Sequence, residues 1–144
     1  MHQPSSNVVP DTLVGRRPTG AIVGWHVYGD ARTAETHFLC FDDDVVELYT
    51  AGDGSIGLRS SRMPQDFDMA EYGRYEFHPA DGGMPSSALV GQSILAIQRL
   101  SLDGMPVGLR LVFASGTVVY LNDFDDVWVS NGALPEHFSG CTTT

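Results

Sequence analysis

Basic residues are scarce in this 144-residue chain, which carries 8 Lys plus Arg against 18 Asp plus Glu and a formal net charge of −10 at pH 7. A surface of that sign repels a phosphate backbone, so we do not expect direct binding to nucleic acid. The chain also lacks the run of roughly 18 apolar residues that a membrane span needs. Its first residues lack the basic and then apolar order of a secretory signal. We therefore expect a cytoplasmic protein that binds neither nucleic acid nor membrane.

Cysteine is rare as well, since only Cys40 and Cys141 occur. One lies in an apolar run and the other in the polar tail, which is not the cysteine density of a disulfide-stapled secreted domain. Apolar residues make up 42% of the chain and charged residues 18%, a balance typical of globular proteins. We therefore predict two free thiols. We also predict one domain over residues 1–144, because a chain of this length rarely builds a second core.

The chain contains an internal repeat. Leu13-Val14-Gly15 recurs as Leu89-Val90-Gly91, and four later blocks follow in the same order in both halves. These blocks are AIVGWHV with AIQRLSL, THFLCF with GLRLVF, VVELY with VVYLN, and SIGLRS with DVWVSN. Five blocks in one order are hard to produce by chance. We predict a first copy over 13–60, a connector over 61–88, a second copy over 89–131 and a tail over 132–144.

Each copy has the composition of β-strands. Segments such as HFLCF, VVELY, LRLVF and TVVYL are rich in aromatic and β-branched residues and are separated by polar turns. The first segment of each copy fits a strand or a helix, and strand is favoured because both copies should share one structure. The predicted fold is mostly β, with α+β as the alternative. It comprises two similar three- to four-stranded antiparallel meanders packed as one pseudo-twofold domain.

Matching the copies also predicts the core and the connector. Leu39 matches Leu111, and the pair Val46 and Leu48 matches Val119 and Leu121. Period-two pairs of this kind on neighbouring strands form the buried face of a sheet. Within the connector, YGRYEFHP is predicted as one more strand and QDFDMAEYG as a single helical turn.

The glycine-rich and aspartate-rich motifs are interpreted as turns and not as ligand-binding sites. The stretch Gly52–Gly57 fits the glycine-rich dinucleotide pattern, but Pro64 leaves no room for the helix that the pattern must open, so a hairpin turn is favoured. The turns Asp42–Asp44 and Asp123–Asp126 lack the spacing of a calcium loop. We expect solvated carboxylates there that are free to meet a basic partner.

No catalytic or metal-binding motif is present. The five histidines are nowhere at the close spacing of a metal site, and no G-x-S-x-G sequence occurs. His37 takes the place of Leu109 in the second copy, which favours a half-buried or rim histidine over a general base. We therefore expect no metal, no cofactor and no enzymatic activity.

An acidic turn next to a tryptophan is the best candidate for a partner site. If Val127 and Val129 point inward, Trp128 points outward beside the carboxylates of the turn, whereas coverage by the connector or the tail is the alternative. An exposed Trp ringed by carboxylates suits contact with a basic protein. The candidate partner-binding residues are Asp66, Asp68, Glu71 and Tyr72 of the connector together with Asp123, Asp125, Asp126 and Trp128.

The second copy resembles a pattern found in small bacterial immunity proteins encoded beside polymorphic and contact-dependent toxins. The pattern runs from a Leu-x-Gly start through G-x-x-x-G-L-x-L-x-F-x-x-G to an acidic turn and a proline-containing tail. Its pieces here are Gly104, Gly108, Leu109, Leu111, Phe113, Gly116, Asn122, Asp125 or Asp126, and Leu134-Pro135. The resemblance covers residues 89–138 well and residues 13–60 more weakly.

This resemblance implies a cytoplasmic inhibitor that binds and neutralises a cognate toxin, such as one acting on nucleic acid or nucleotides, by occluding its basic cleft. The net charge agrees with this, because an acidic surface is steered toward a basic one. The alternative is a non-catalytic, β-rich module that binds a small ligand or acts as an adaptor. The sequence leaves the toxin's chemistry, the strand order and the oligomeric state open.

Overall fold

The computed structural model describes residues 7–123 and 126–143, in which every regular element is a strand or a short 3-10 helix. The first half contains a 3-10 helix (Pro10–Leu13), β1 (Gly20–Tyr28), β2 (Ala31–Cys40), β3 (Val45–Thr50) and β4 (Ile56–Ser61). The connector contains β5 (Phe67–Asp68), a 3-10 helix (Ala70–Tyr72) and β6 (Arg74–Pro79). The second half contains a 3-10 helix (Pro85–Leu89), β7 (Ala96–Leu102), β8 (Met105–Phe113), β9 (Gly116–Asp123) and β10 (Asp126–Ser130). The tail adds a 3-10 helix (Glu136–Phe138) and β11 (Thr142–Thr143).

Two antiparallel sheets form from these strands. The first has the order β4-β3-β2-β1-β6-β5, and the second has the order β10-β9-β8-β7-β11. The prediction of a mostly β fold is confirmed, and each half supplies a four-stranded meander. Both LVG blocks end a 3-10 helix, and their glycines, Gly15 and Gly91, have φ of 88° and 82°. The arrangement is consistent with the predicted duplication. Within the described residues, no helix is long and apolar enough to cross a membrane.

The main hydrophobic core lies between the two sheets. Leu39 and Leu48 from the first sheet and Leu111 and Tyr120 from the second are at most 1% exposed and belong to one cluster. Each meander alone would leave this face in water, and a buried side chain of this size contributes about 1.5–3 kcal/mol relative to exposure. Packing of one sheet on the other therefore stabilises both.

A second apolar cluster covers the outer face of the second sheet. Val119 and Leu121 belong to it, together with Phe138 of the tail, and do not face the first sheet. Val46 pairs with Leu39 of β2, and Val118 pairs with Leu111 of β8. Because Leu39 matches Leu111, Val46 corresponds to Val118. The predicted match of Val46 with Val119 is therefore wrong by one residue. A shift of one residue inverts the face of a strand, and the error was possible because both faces of β9 are buried.

His37 lies in the core, and the prediction of a half-buried or rim histidine is wrong. Its side chain is on the inner face of β2, is 1% exposed and makes an edge contact with the ring of Tyr120 at 5.8 Å. Its Nε2 donates to the carbonyl oxygen of Val127 at 3.2 Å, while Nδ1 has no hydrogen-bond partner among the described residues. Burial lowers the pKa of His37 to about 4, so the ring is neutral at pH 7.

Candidate functional site

A β-bulge between β1 and β2 aims one carboxylate at the connector. Gly24 pairs with Thr36 and Trp25 with Ala34, which leaves Glu35 as the extra residue of β2. Bulges often redirect a side chain in this way. The Glu35 carboxylate accepts a hydrogen bond from the Tyr75 hydroxyl at 3.0 Å, and its side chain is 20% exposed. The bulge thereby joins the first copy to the connector.

An aromatic stack crosses three neighbouring strands beside Glu35. Phe67 of β5 pairs with Tyr75 of β6, which pairs with His26 of β1, so the three rings occupy one rung of the sheet. Ring centroids are 5.0 Å apart for Phe67 and Tyr75 and 5.1 Å apart for Tyr75 and His26. Stacked cross-strand pairs of this kind stabilise a sheet. The rung holds the connector against β1.

Hydrogen bonds fix the loop between β5 and β6. His26 donates from Nε2 to the carbonyl oxygen of Tyr72 at 2.7 Å, and its Nδ1 lies 3.5 Å from Glu35 Oε2. Asp68 accepts from the backbone N–H of Ala70 at 2.7 Å, and Asp66 accepts from that of Phe77 at the same distance. The predicted connector strand is confirmed by β6. The stretch predicted as one helical turn contains the 3-10 helix Ala70–Tyr72, but its first part forms β5, because Phe67 and Asp68 pair with β6.

The second sheet adds charge to the same surface. The pKa of Tyr75 is raised to about 12, first by burial, then by its hydrogen bond to Glu35, and then by the charges of Glu35 and Asp126. Asp126 begins β10 and lies directly opposite Asp123 in the β9–β10 pair. Glu35 of β2 and Asp126 of the acidic turn thus act on one phenol, although they are far apart in sequence. Tyr75 remains a neutral hydrogen-bond donor at physiological pH.

The side chains around this rung are exposed to solvent. Tyr72 is 68% exposed, Tyr28 60% and Phe67 50%, and they are the aromatic members of the large exposed apolar side chains of the described chain. Aromatic residues are enriched at protein interfaces and among binding hot spots. We call the β5–β6 edge of the first sheet, together with the neighbouring parts of β1 and β2, the connector surface. Its residues are His26, Tyr28, Glu35, Asp66, Phe67, Asp68, Glu71, Tyr72 and Tyr75.

Comparison with known proteins identifies no relative. No protein-family model, curated protein or solved structure matches the chain. The candidate site therefore rests on its geometry.

A cleft of about 440 Å³ lies beside the connector surface, where β10 meets β2 and β3. Glu35, Glu47, Arg59 and Val127 are among its lining residues. Arg59 Nε is 2.7 Å from Glu47 Oε1, and its guanidinium stacks on Tyr49 at 4.2 Å. Arg59 and Glu47 are thus paired with each other, and the buried hydroxyl of Thr36, which also lines the cleft, has no hydrogen-bond partner among the described residues.

Most of the predicted partner residues lie close together in the structure, whereas Trp128 lies apart from them under the C-terminal tail. Asp66, Asp68, Glu71 and Tyr72 all lie exposed on the connector surface. Asp123 and Asp126 are half-buried at the nearby end of the β9–β10 hairpin, and Asp125 lies outside the described residues. The prediction that these groups bind a partner stays a prediction.

Trp128 does not form the outward anchor expected beside the acidic turn. It lies on the face of β10 opposite Val127, as the alternation predicts, but that face is covered by the C-terminal tail. Its side chain is half-buried against the cluster that contains Leu121 and Phe138. Trp128 is therefore covered by the tail, which is one of the alternatives that the sequence left open.

The other acidic turn is occupied by the chain itself. Arg16 reaches Asp44 at 2.6 Å and Asp43 at 3.1 Å, and it stacks on Phe41 at 4.1 Å. The hydrogen bond from Arg16 lowers the pKa of Asp44. The expectation that this turn is free to meet a basic partner is therefore wrong for Asp43 and Asp44. Within the described residues, no group of three or more His, Cys, Asp or Glu side chains could hold a metal ion.

Several residues of the site were missed by sequence reasoning. The alternation of Tyr75 and Phe77 with charged residues indicates one aromatic face of the connector strand, and it could have been used. Glu35 and His26 had no such signal. Glu35 is an extra residue in a bulge, and His26 becomes part of the site only because β6 pairs with β1.

Proposed function

We propose that this chain is an immunity protein that binds a basic bacterial toxin through the connector surface and blocks the toxin's active cleft. The observation that carries the proposal is the rung of Phe67, Tyr75 and His26, which is flanked by exposed Tyr72 and Tyr28 and bordered by carboxylates. Aromatic anchors supply contact area with little loss of side-chain entropy, and the carboxylates supply complementarity to a basic surface.

Ion pairing within the chain leaves its acidic excess unchanged. Arg16, Arg59 and Arg74 each lie within 3.1 Å of a carboxylate of the chain itself, and each such pair removes one charge of each sign. Glu71 is exposed and forms no hydrogen bond or ion pair with any described residue. A net charge of −10 would steer a basic partner toward the chain, and the exposed carboxylates of the connector would orient it.

Binding kinetics test the proposal directly. A secreted toxin encoded next to this chain would be purified, and its association with the wild-type protein would be followed across a range of salt concentrations. Electrostatic steering raises association rates to as much as about 10⁸–10⁹ M⁻¹s⁻¹ at low salt. We expect Glu71→Lys to slow association and Tyr72→Ala to speed dissociation.

Glu136→Lys is the matched control, because Glu136 is exposed on the tail that covers the other sheet. It should leave association close to the wild-type rate. Wild-type kinetics for Glu71→Lys and Tyr72→Ala, combined with weakened binding for Glu136→Lys, would place the partner on the wrong side of the molecule for this proposal. A neighbouring toxin that the wild-type protein neither binds nor inhibits would contradict the proposed function itself.

In the ligand-binding alternative, a small molecule would bind in the cleft beside Glu47 and Arg59. Its volume of about 440 Å³ lies within the range of small-molecule sites, about 300–1,000 Å³. A small molecule that co-purifies with the chain, and is lost in Tyr49→Ala, would support this alternative. Native mass spectrometry of the purified protein distinguishes it from the immunity proposal.

A further inference from the structure

We propose that the connector surface contains a receptor pocket for one arginine side chain of the partner protein. The pocket is shallow, has a volume of about 560 Å³ and is lined by His26, Tyr28, Met69, Glu71 and Tyr72. The inference rests on the proposed function insofar as it takes the partner to be a basic protein. It goes further by naming the group that is recognised and the place where that group binds.

The protein itself shows which partners an arginine takes in this fold. Arg59 stacks on Tyr49 at 4.2 Å while its Nε bonds to Glu47 at 2.7 Å. Arg16 stacks on an aromatic ring at 4.1 Å and bonds to Asp44 at 2.6 Å. In both cases one aromatic ring and at least one carboxylate contact the guanidinium. Cation–π attraction and a charge-assisted hydrogen bond act together in this arrangement.

The pocket offers the same two groups without an arginine. Tyr28 and Tyr72 are 60% and 68% exposed, and Glu71 stands next to Tyr72 in the chain. No arginine is among the lining residues, and no described residue pairs with the Glu71 carboxylate. Large exposed aromatic side chains beside an unpaired carboxylate are complementary to a cation with an apolar, planar face.

Arginine fits this pocket better than lysine does. The guanidinium is planar and weakly hydrated, so it stacks on a ring at a smaller desolvation cost than a compact ammonium group. The hydrogen bond from His26 to the carbonyl oxygen of Tyr72 holds the loop that carries Glu71 and Tyr72. The pocket is therefore preorganised, which limits the entropy lost on binding.

A model compound tests the pocket without the toxin. N-acetyl-arginine amide would be titrated into the full chain, and the ring resonances of Tyr28 and Tyr72 would be followed by NMR. We expect saturable shifts in the millimolar range, weaker binding of N-acetyl-lysine amide and no saturable shift with N-acetyl-citrulline amide, which has nearly the same shape without the charge. Glu71→Gln and Tyr72→Leu should each weaken binding by about two- to fivefold.

Glu136→Gln is the matched control and should leave binding unchanged, with thermal melting used to verify that every variant is folded. Equal shifts with the citrulline and arginine compounds, or binding that is unaffected by both Glu71→Gln and Tyr72→Leu, would overturn the pocket assignment. If Glu71→Gln and Tyr72→Leu also neutralise the toxin as the wild type does, the pocket is refuted and the proposed function stands. Saturable arginine binding by a chain that neutralises no neighbouring toxin supports the pocket and refutes the proposed function.

Discussion

Acidification should destabilise the protein through His37. The folded state holds the pKa of this buried ring at about 4, whereas the unfolded chain has the ordinary value of 6.5. Because the folded pKa is lowered, the unfolded chain binds the proton first, and stability is lost as the pH falls from 6.5 toward 4. The linkage relation gives a loss of about 2 kcal/mol at pH 5 and about 3 kcal/mol at pH 4 from this group alone.

Urea denaturation at a series of pH values measures this loss. Carboxylates also titrate in this range, so the test is the difference in pH dependence between the wild type and His37→Leu, which introduces the residue that the second copy has at Leu109. We expect the variant to lose less stability between pH 7.5 and pH 4.5 than the wild type does. Replacing the exposed His137 by Gln should leave the wild-type dependence in place. Parallel stability curves for the wild type and His37→Leu would refute the role assigned to His37.

Three further substitutions probe the packing. Gly108→Ala should destabilise the fold by more than about 2 kcal/mol in a thermal or urea melt, because a Cβ there meets the backbone oxygen of Tyr120, whereas Gly52→Ala points into open space and should be near neutral. Trp128→Ala should cost about 2 kcal/mol of unfolding free energy, since it removes a half-buried ring from beneath the tail, and an unchanged melt would mean that the ring is dispensable. Arg16→Gln should cost less than about 1 kcal/mol, and the difference should shrink in high salt, because its ion pairs are solvent-exposed.

The class of fold could be predicted because strand composition and the repeat agree. The two copies share blocks of β-branched and aromatic residues, and each block became a strand of a meander. Register was harder to predict. Val118, Val119, Tyr120 and Leu121 are all fully buried, so β9 has no alternation from which its inner face can be read.

The candidate site could be predicted only in part. The connector carboxylates and Tyr72 were found because they cluster in a short stretch of sequence. The contributions of Glu35 and His26 depend on a bulge and on the pairing of β6 with β1, which are long-range features with no local signal. Trp128 was misplaced because the alternation gives the face of a strand but does not show what covers that face.

Hydrogen–deuterium exchange of the complex with the neighbouring toxin tests the central claim most directly. If the connector surface binds the toxin, amides of residues 66–77 and of the β1 segment around His26 and Tyr28 should exchange more slowly in the complex. The amides of β9 and of the tail, on the outer side of the second sheet, should exchange as they do in the free protein. Slowed exchange confined to the tail and β9, with residues 66–77 unchanged, would contradict the account.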